Sequence, residues 1–175
     1  SGSDNDFISC EIDEITTPFL TYSSAYVLEG DGEVLARVHE PYFNRTYGHF
    51  CGHKNTPFKS DCASYPALIK QENVLCFAHP IFEAYNKSGS YVLERYIKKA
   101  FDSIYEKGIK TENLPSCGRV RFRKSEDESF FAFHVLYAPP INRGNVCLLE
   151  DFPVLHDVKI SLKVDKKIKS VTLEP

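Results

Sequence analysis

The chain has 175 residues, 42% of them hydrophobic and 13% aromatic, which is enough to bury a core and too much for a disordered chain. A formal net charge of −3 lacks the basic excess of a nucleic-acid binder, and no apolar run reaches the roughly 18 residues needed to cross a bilayer. Nucleic acid and membrane are therefore not expected partners.

Taken in order, residues 1–18 are polar and acidic and read as an irregular lead-in ending at Pro18. Residues 19–28, rich in Tyr, Phe, Val and Leu, favour a strand. Gly30-Asp31-Gly32 signals a turn, and the alternation of Val34, Ala36 and Val38 gives a second strand, so the two are predicted to pair as a hairpin. Residues 40–64 interleave aromatics, glycines and polar groups with neither helical nor strand period, as a structured loop does. A second hairpin is predicted from residues 65–69 and 74–79 around Gln71-Glu72-Asn73. Its apolar run Val74-Leu75-Cys76-Phe77-Ala78 reads as a strand covered on both faces.

Residues 90–107 give the clearest helix. Val92, Leu93, Tyr96, Ile97, Ala100, Phe101 and Ile104 share one face, Ser88 or Ser90 suits the N-cap, and Gly108 suits the stop. Beyond Leu114-Pro115 the pattern turns to β. Segments 118–123 and 130–137 flank the acidic turn 125–129, and 145–150, 154–164 and 168–173 follow, a spacing that suggests an antiparallel sandwich. The fold class is α+β and β-rich, divided into a lead-in (1–18), an α/β part (19–111) and a β domain (112–175).

The six cysteines, Cys10, Cys51, Cys62, Cys76, Cys117 and Cys147, form no C-x-x-C and are expected to be free thiols, which favours a cytoplasmic setting. Cys76 and Cys147 lie in apolar runs and are expected to be buried. No signal peptide is visible. Ser1-Gly2 and the absence of Met read as the remnant of a cleaved tag, so the native protein is expected to extend further.

His49, Cys51 and His53, with His39 or Cys62, are weak metal candidates, because imidazole and thiolate suit zinc but the spacing matches no strong pattern. No metal or other cofactor is expected. Cys76 with His79 fails as a nucleophile pair, since a mid-strand cysteine in an apolar run lacks exposure. The acids cluster in turns or on the helix surface and offer no scaffolded pair of the kind glycoside hydrolysis needs.

The stretch Glu40-Pro41-Tyr42-Phe43-Asn44-Arg45-Thr46-Tyr47 with His49-Phe50-Cys51, then Ala78-His79-Pro80-Ile81-Phe82 before a helix, then Leu114-Pro115-Ser116, resembles the C-terminal part of bacterial glycoside hydrolases of the beta-galactosidase trimerisation-domain type, some labelled alpha-L-fucosidases. The resemblance implies a parent enzyme whose N-terminal (β/α)₈ barrel holds the catalytic carboxylates. Residues 19–111 would be a partial flavodoxin-like tail, related to class I glutamine amidotransferases, and the C-terminal β domain would follow. On that reading the chain is a non-catalytic assembly part with no catalytic residues of its own. Its partners would be the missing barrel and further copies of the chain; the alternative is a carbohydrate-binding module. Tyr42, Asn44, Arg45 and His49 are the candidate interface or ligand-facing residues, since aromatic faces and planar amide or guanidinium groups suit both uses.

Overall fold

The computed structural model describes residues 5–10, 17–22, 26–61 and 65–173. The chain divides into two compact units, Ser1–Glu106 and Lys107–Pro175.

The first unit is a five-stranded antiparallel sheet with helices on one face. Its strands are β1 (Asn5–Cys10), β2 (Phe19–Tyr22), β3 (Glu33–His39), β4 (Pro66–Gln71) and β5 (Val74–Phe77), in the order β2-β1-β3-β4-β5. Two expectations are corrected here. The acidic lead-in contributes β1, an inner strand, although residues 1–4 and 11–16 lie outside the described residues. The hairpin between residues 19–28 and 33–39 does not form, because β1 lies between the two strands, with Ile8 opposite both Phe19 and Val38. The first of those strands is also shorter than expected, ending at Tyr22.

Strand alternation sorts β1 cleanly. Asp6, Ile8 and Cys10 face the helices, and Phe7 packs with Phe58 of the loop on the other face, ring centroids 4.9 Å apart. The β4–β5 hairpin forms as predicted, with Gln71 opposite Val74 and Glu72 at φ +53° in the two-residue turn. Gly32 crosses so close to β4 that a Cβ there would meet Ile69 Cγ2 at 2.4 Å, which only glycine avoids.

The helix layer is α1 (Ile81–Ser88) and α2 (Tyr91–Asp102). Gly89 ends α1 in the left-handed region, its N–H donating to the Tyr85 carbonyl at 2.8 Å. The single helix predicted over 90–107 stops at Asp102 instead of running to Gly108. The Ser103 and Ile104 amides turn back to the Ala100 and Phe101 carbonyls, and the Ser103 hydroxyl also donates to Ala100. Neither Ser88 nor Ser90 caps α2 through its side chain; Ser88 donates to the Ala84 carbonyl within α1. Ile8, Val38, Leu68, Ile81 and Tyr96 are withdrawn from water between sheet and helices. Each such side chain contributes about 1.5–3 kcal/mol.

Cys76 is exposed, against expectation, because β5 is an edge strand whose alternate residues Val74 and Cys76 face away from the helices. Cys147 is exposed too, in a strand with no covering layer. Cys10 is the buried thiol, Cys51 and Cys117 are half-buried, and Cys62 lies outside the described residues.

The second unit consists of three separate two-stranded antiparallel ribbons. β6 (Ile109–Glu112) pairs with β11 (Lys159–Leu162), β7 (Arg119–Lys124) with β8 (Phe131–Leu136), and β9 (Ile141–Arg143) with β10 (Val146–Leu148). The strands expected over 154–164 and 168–173 reduce to residues 159–162. None of the described residues from 107 to 173 is buried. Phe130, Leu136, Leu149, Phe152 and Val154 are each more than half exposed. An isolated two-stranded ribbon is marginal in water. No helix among the described residues is long and apolar enough to cross a membrane.

Candidate functional site

Residues 40–59 form a loop with a fixed base and an open tip. At the base, Pro41 bridges to Phe58, the Lys59 amide donates to the Glu40 carbonyl at 2.8 Å, and the Tyr42 amide donates to Pro57 at 3.0 Å. Glu40 also accepts from Lys59 Nζ at 3.2 Å and from the Tyr65 hydroxyl at 3.3 Å. His39 anchors the base to the sheet. Its Nδ1–H donates to the Lys59 carbonyl at 3.0 Å, which leaves Nε2 to accept from the Ser9 hydroxyl at 2.9 Å. With Phe58 against both Phe7 and His39, the loop covers β1 and β3 on the sheet face that the helices leave open.

At the tip, Thr46 and His49 exchange backbone hydrogen bonds around Tyr47-Gly48. The His49 ring stacks on Phe43, centroids 4.0 Å apart at 12°. The Arg45 guanidinium donates to the Lys54 carbonyl, which ties the two arms of the loop together. Arg45, Thr46, Tyr47 and Phe50 line a shallow hollow, and Tyr42, Tyr47 and Phe50 turn their rings to solvent. Of the residues singled out from sequence, Asn44, Arg45 and His49 lie on this exposed tip, and Tyr42 stands at the base with its ring in solvent. The Cys51 sulfur lies 3.5 and 3.6 Å from the carbonyls of His53 and Asn55, so the thiol engages backbone while His53 is exposed. Among the described residues no three His, Cys, Asp or Glu side chains converge as a metal site.

The sequence reading missed a second polar centre, inside the helix layer. His79 Nε2 lies 3.0 Å from Asp6 Oδ2, and both side chains are fully buried. His79 Nδ1 and the hydroxyls of Thr21 and Tyr96 are buried without a hydrogen-bond partner among the described residues. Thr21 lies directly across from Asp6, so its hydroxyl belongs to the same region. The available signal was the His79-Pro80 step before a helix; Asp6 was hidden in an acidic stretch.

Two carboxylates of the 125–129 turn, Asp127 and Glu128, are shifted away from what acid catalysis needs. Hydrogen bonds and charge from Lys124, then Lys166, hold Glu128 down to about 2. Hydroxyl and amide donation from Ser125 and Ser129 lowers Asp127. A glycosidase's general acid needs its pKa raised.

No family model matches the chain, and no curated protein matches it. Among solved structures it is similar to alpha-L-fucosidase isoenzyme 2 from Paenibacillus thiaminolyticus, with a TM-score of 0.82 and 26% sequence identity. The similarity covers 94% of this chain and 26% of that chain. In both backbone and sequence, then, this β-rich α+β chain is similar to about a quarter of a glycoside hydrolase.

Proposed function

We propose that the chain is a non-catalytic assembly part of a glycoside hydrolase acting in carbohydrate metabolism, standing C-terminal to the parent's catalytic barrel. The observation that carries this reading is the second unit's lack of a core: none of the described residues 107–173 is buried, while large apolar side chains face outward. Such a unit gains stability by packing on another surface, and the parent's barrel is the partner proposed here. The similarity to only 26% of a fucosidase chain supports a parent with ample further structure. The finer reading follows the resemblance: residues 19–111 as a partial flavodoxin-like trimerisation-type domain, residues 112–175 as strands of a sandwich that the parent completes, and a fucoside as the parent's substrate class.

A carbohydrate-binding module is the competing reading, favoured by the exposed rings of Tyr42, Tyr47 and Phe50 beside Arg45. An autonomous binding domain in residues 112–175 would need a core of its own. Native-state hydrogen exchange tests the assembly reading. Amides of β6 to β11 in the isolated chain are expected to exchange far faster than those of β1, β3 and β4. Protection in the second unit equal to that of the first would contradict the assembly reading.

A further inference from the structure

We propose that the β7–β8 ribbon carries a binding face for an acidic glycan, a sugar chain bearing sulfate or carboxylate groups. The inference deepens the glycoside-hydrolase reading and rests on it for the sugar, while the charge it needs is read from the ribbon itself.

Strand alternation divides the ribbon into two unlike faces. Val120, Phe122, Phe131, Phe133 and Val135 share one, with Lys124 at its end, and Phe122 stacks on Phe131 with centroids 5.5 Å apart at 16°. Arg119, Arg121 and Arg123 share the other, opposite Leu136, His134 and Ala132. All three arginines are exposed. Successive arginines stand roughly 6.6–6.8 Å apart along the strand, so their guanidinium groups form a single file.

The file is not neutralised within its own unit. Elsewhere in the unit, Lys124 and Lys166 meet Glu128, Arg143 meets Glu150 and Lys159 meets Glu112. No carboxylate among the described residues pairs with Arg119, Arg121 or Arg123. In the adjoining turn, Asp127 accepts from the Ser129 amide and hydroxyl at 3.1 and 2.9 Å, and Glu128 is held by its two lysines. Like charges along one strand repel, and the cross-strand neighbours, a leucine, a histidine and an alanine, bring no negative charge to relieve them. A bound polyanion supplies it.

The geometry also selects the class of anion. An exposed two-stranded face suits an extended chain that meets several guanidinium groups in succession. The planar fork of arginine donates two parallel N–H bonds to one sulfate or carboxylate, which a lysine cannot do. A single-stranded nucleic acid also offers a file of anions, but proteins that hold it stack the bases on aromatic rings. This face has no Phe, Tyr or Trp, because the ribbon's phenylalanines lie on the other one. The net charge of −3 likewise lacks the broad basic footprint of a nucleic-acid binder.

Titration calorimetry of the whole chain at low ionic strength, with dextran sulfate and with neutral dextran of the same length, tests the face. Dextran sulfate is expected to bind and dextran is not, with an affinity that falls as NaCl is added. Polygalacturonate, run beside it, shows by the tighter of the two whether sulfate or carboxylate is preferred. The pair Arg121→Thr with Arg123→Thr keeps residues that favour a strand and should weaken binding at least tenfold at an unchanged thermal midpoint. The pair Lys167→Thr with Lys169→Thr removes the same charge from exposed positions elsewhere in the unit and should change the affinity less than twofold. Binding of neither polyanion, equal binding of neutral dextran, equal weakening by the two double variants, or tighter binding of oligothymidylate than of either acidic glycan would each overturn the proposal. The assembly reading rests separately on exchange in residues 107–173 and would survive any of these results.

Discussion

Asp6→Ala is expected to destabilise the first unit by about 3–5 kcal/mol, the cost of breaking a fully buried, hydrogen-bonded polar pair from one side. The carboxylate sits 3.0 Å from His79 Nε2, with no exposed side-chain surface on either residue. Removing it leaves both ring nitrogens in an apolar layer, since Nδ1 already has no partner among the described residues. Asp6→Asn keeps an acceptor for the ring N–H and should cost less. Replacing both partners by leucine should recover most of the loss, because what destabilises is the unpaired group rather than the missing attraction. Urea titration followed by circular dichroism measures each variant. A loss for Asp6→Ala no larger than that of an ordinary surface change, about 0.5 kcal/mol, would show that the pair contributes nothing.

Tyr96 separates the worth of a ring from the cost of its hydroxyl. The side chain is fully buried on α2, with its ring 5.2 Å from Phe19 and 5.7 Å from Phe77. Tyr96→Ala is expected to cost about 3–5 kcal/mol through lost burial and the cavity left behind. Tyr96→Phe keeps the ring and removes a buried hydroxyl that has no partner among the described residues, so it should be neutral or stabilising by about 1 kcal/mol.

The two proteins should also differ in alkali. Burial, helped by Cys10, holds the Tyr96 phenol above its ordinary pKa. The folded state then binds a proton that the unfolded state releases, so this stability is present below the unfolded pKa of about 10 and is lost as pH rises above it. Tyr96→Phe should flatten the fall of the thermal midpoint above pH 10. An equal fall in both proteins would show that the phenol is not the titrating group.

What the sequence made legible was local. The β4–β5 hairpin could be read because its pattern and its turn lie within a dozen residues, and α2 because its apolar face repeats at helical spacing. What it hid was long-range pairing. Asn5–Cys10 carries a fair alternation, yet its acidic surroundings disguised a strand whose burial depends on Phe19, Val38 and the helices. The same insertion broke the predicted β2–β3 hairpin, because a turn signal says that the chain reverses and not which strand it then meets. β5 was read as doubly covered because an apolar run looks alike at the middle and at the edge of a sheet. Only the strand order exposes Val74 and Cys76. α1 spans only eight residues and was passed over, although Pro80 before it and Gly89 after it are the usual punctuation.

The candidate loop was legible as a loop from its lack of period, and Tyr42, Asn44, Arg45 and His49 are all exposed on it. Its anchoring was not, since His39, Ser9, Phe7 and Phe58 come from three separate stretches of chain. The Asp6–His79 pair spans 73 residues and has no sequence signature at all.

The central claim, that this chain is a part of a glycoside hydrolase without its chemistry, is tested most directly by turnover of aryl α-L-fucosides and aryl β-galactosides with the purified chain. Glu83, Asp127 and Glu128 are each held below the ordinary carboxylate range, and Glu128 is ion-paired with Lys124 and Lys166. The expected result is release of the aryl alcohol no faster than in buffer. Turnover that disappears when one of the chain's own carboxylates is replaced would contradict the claim.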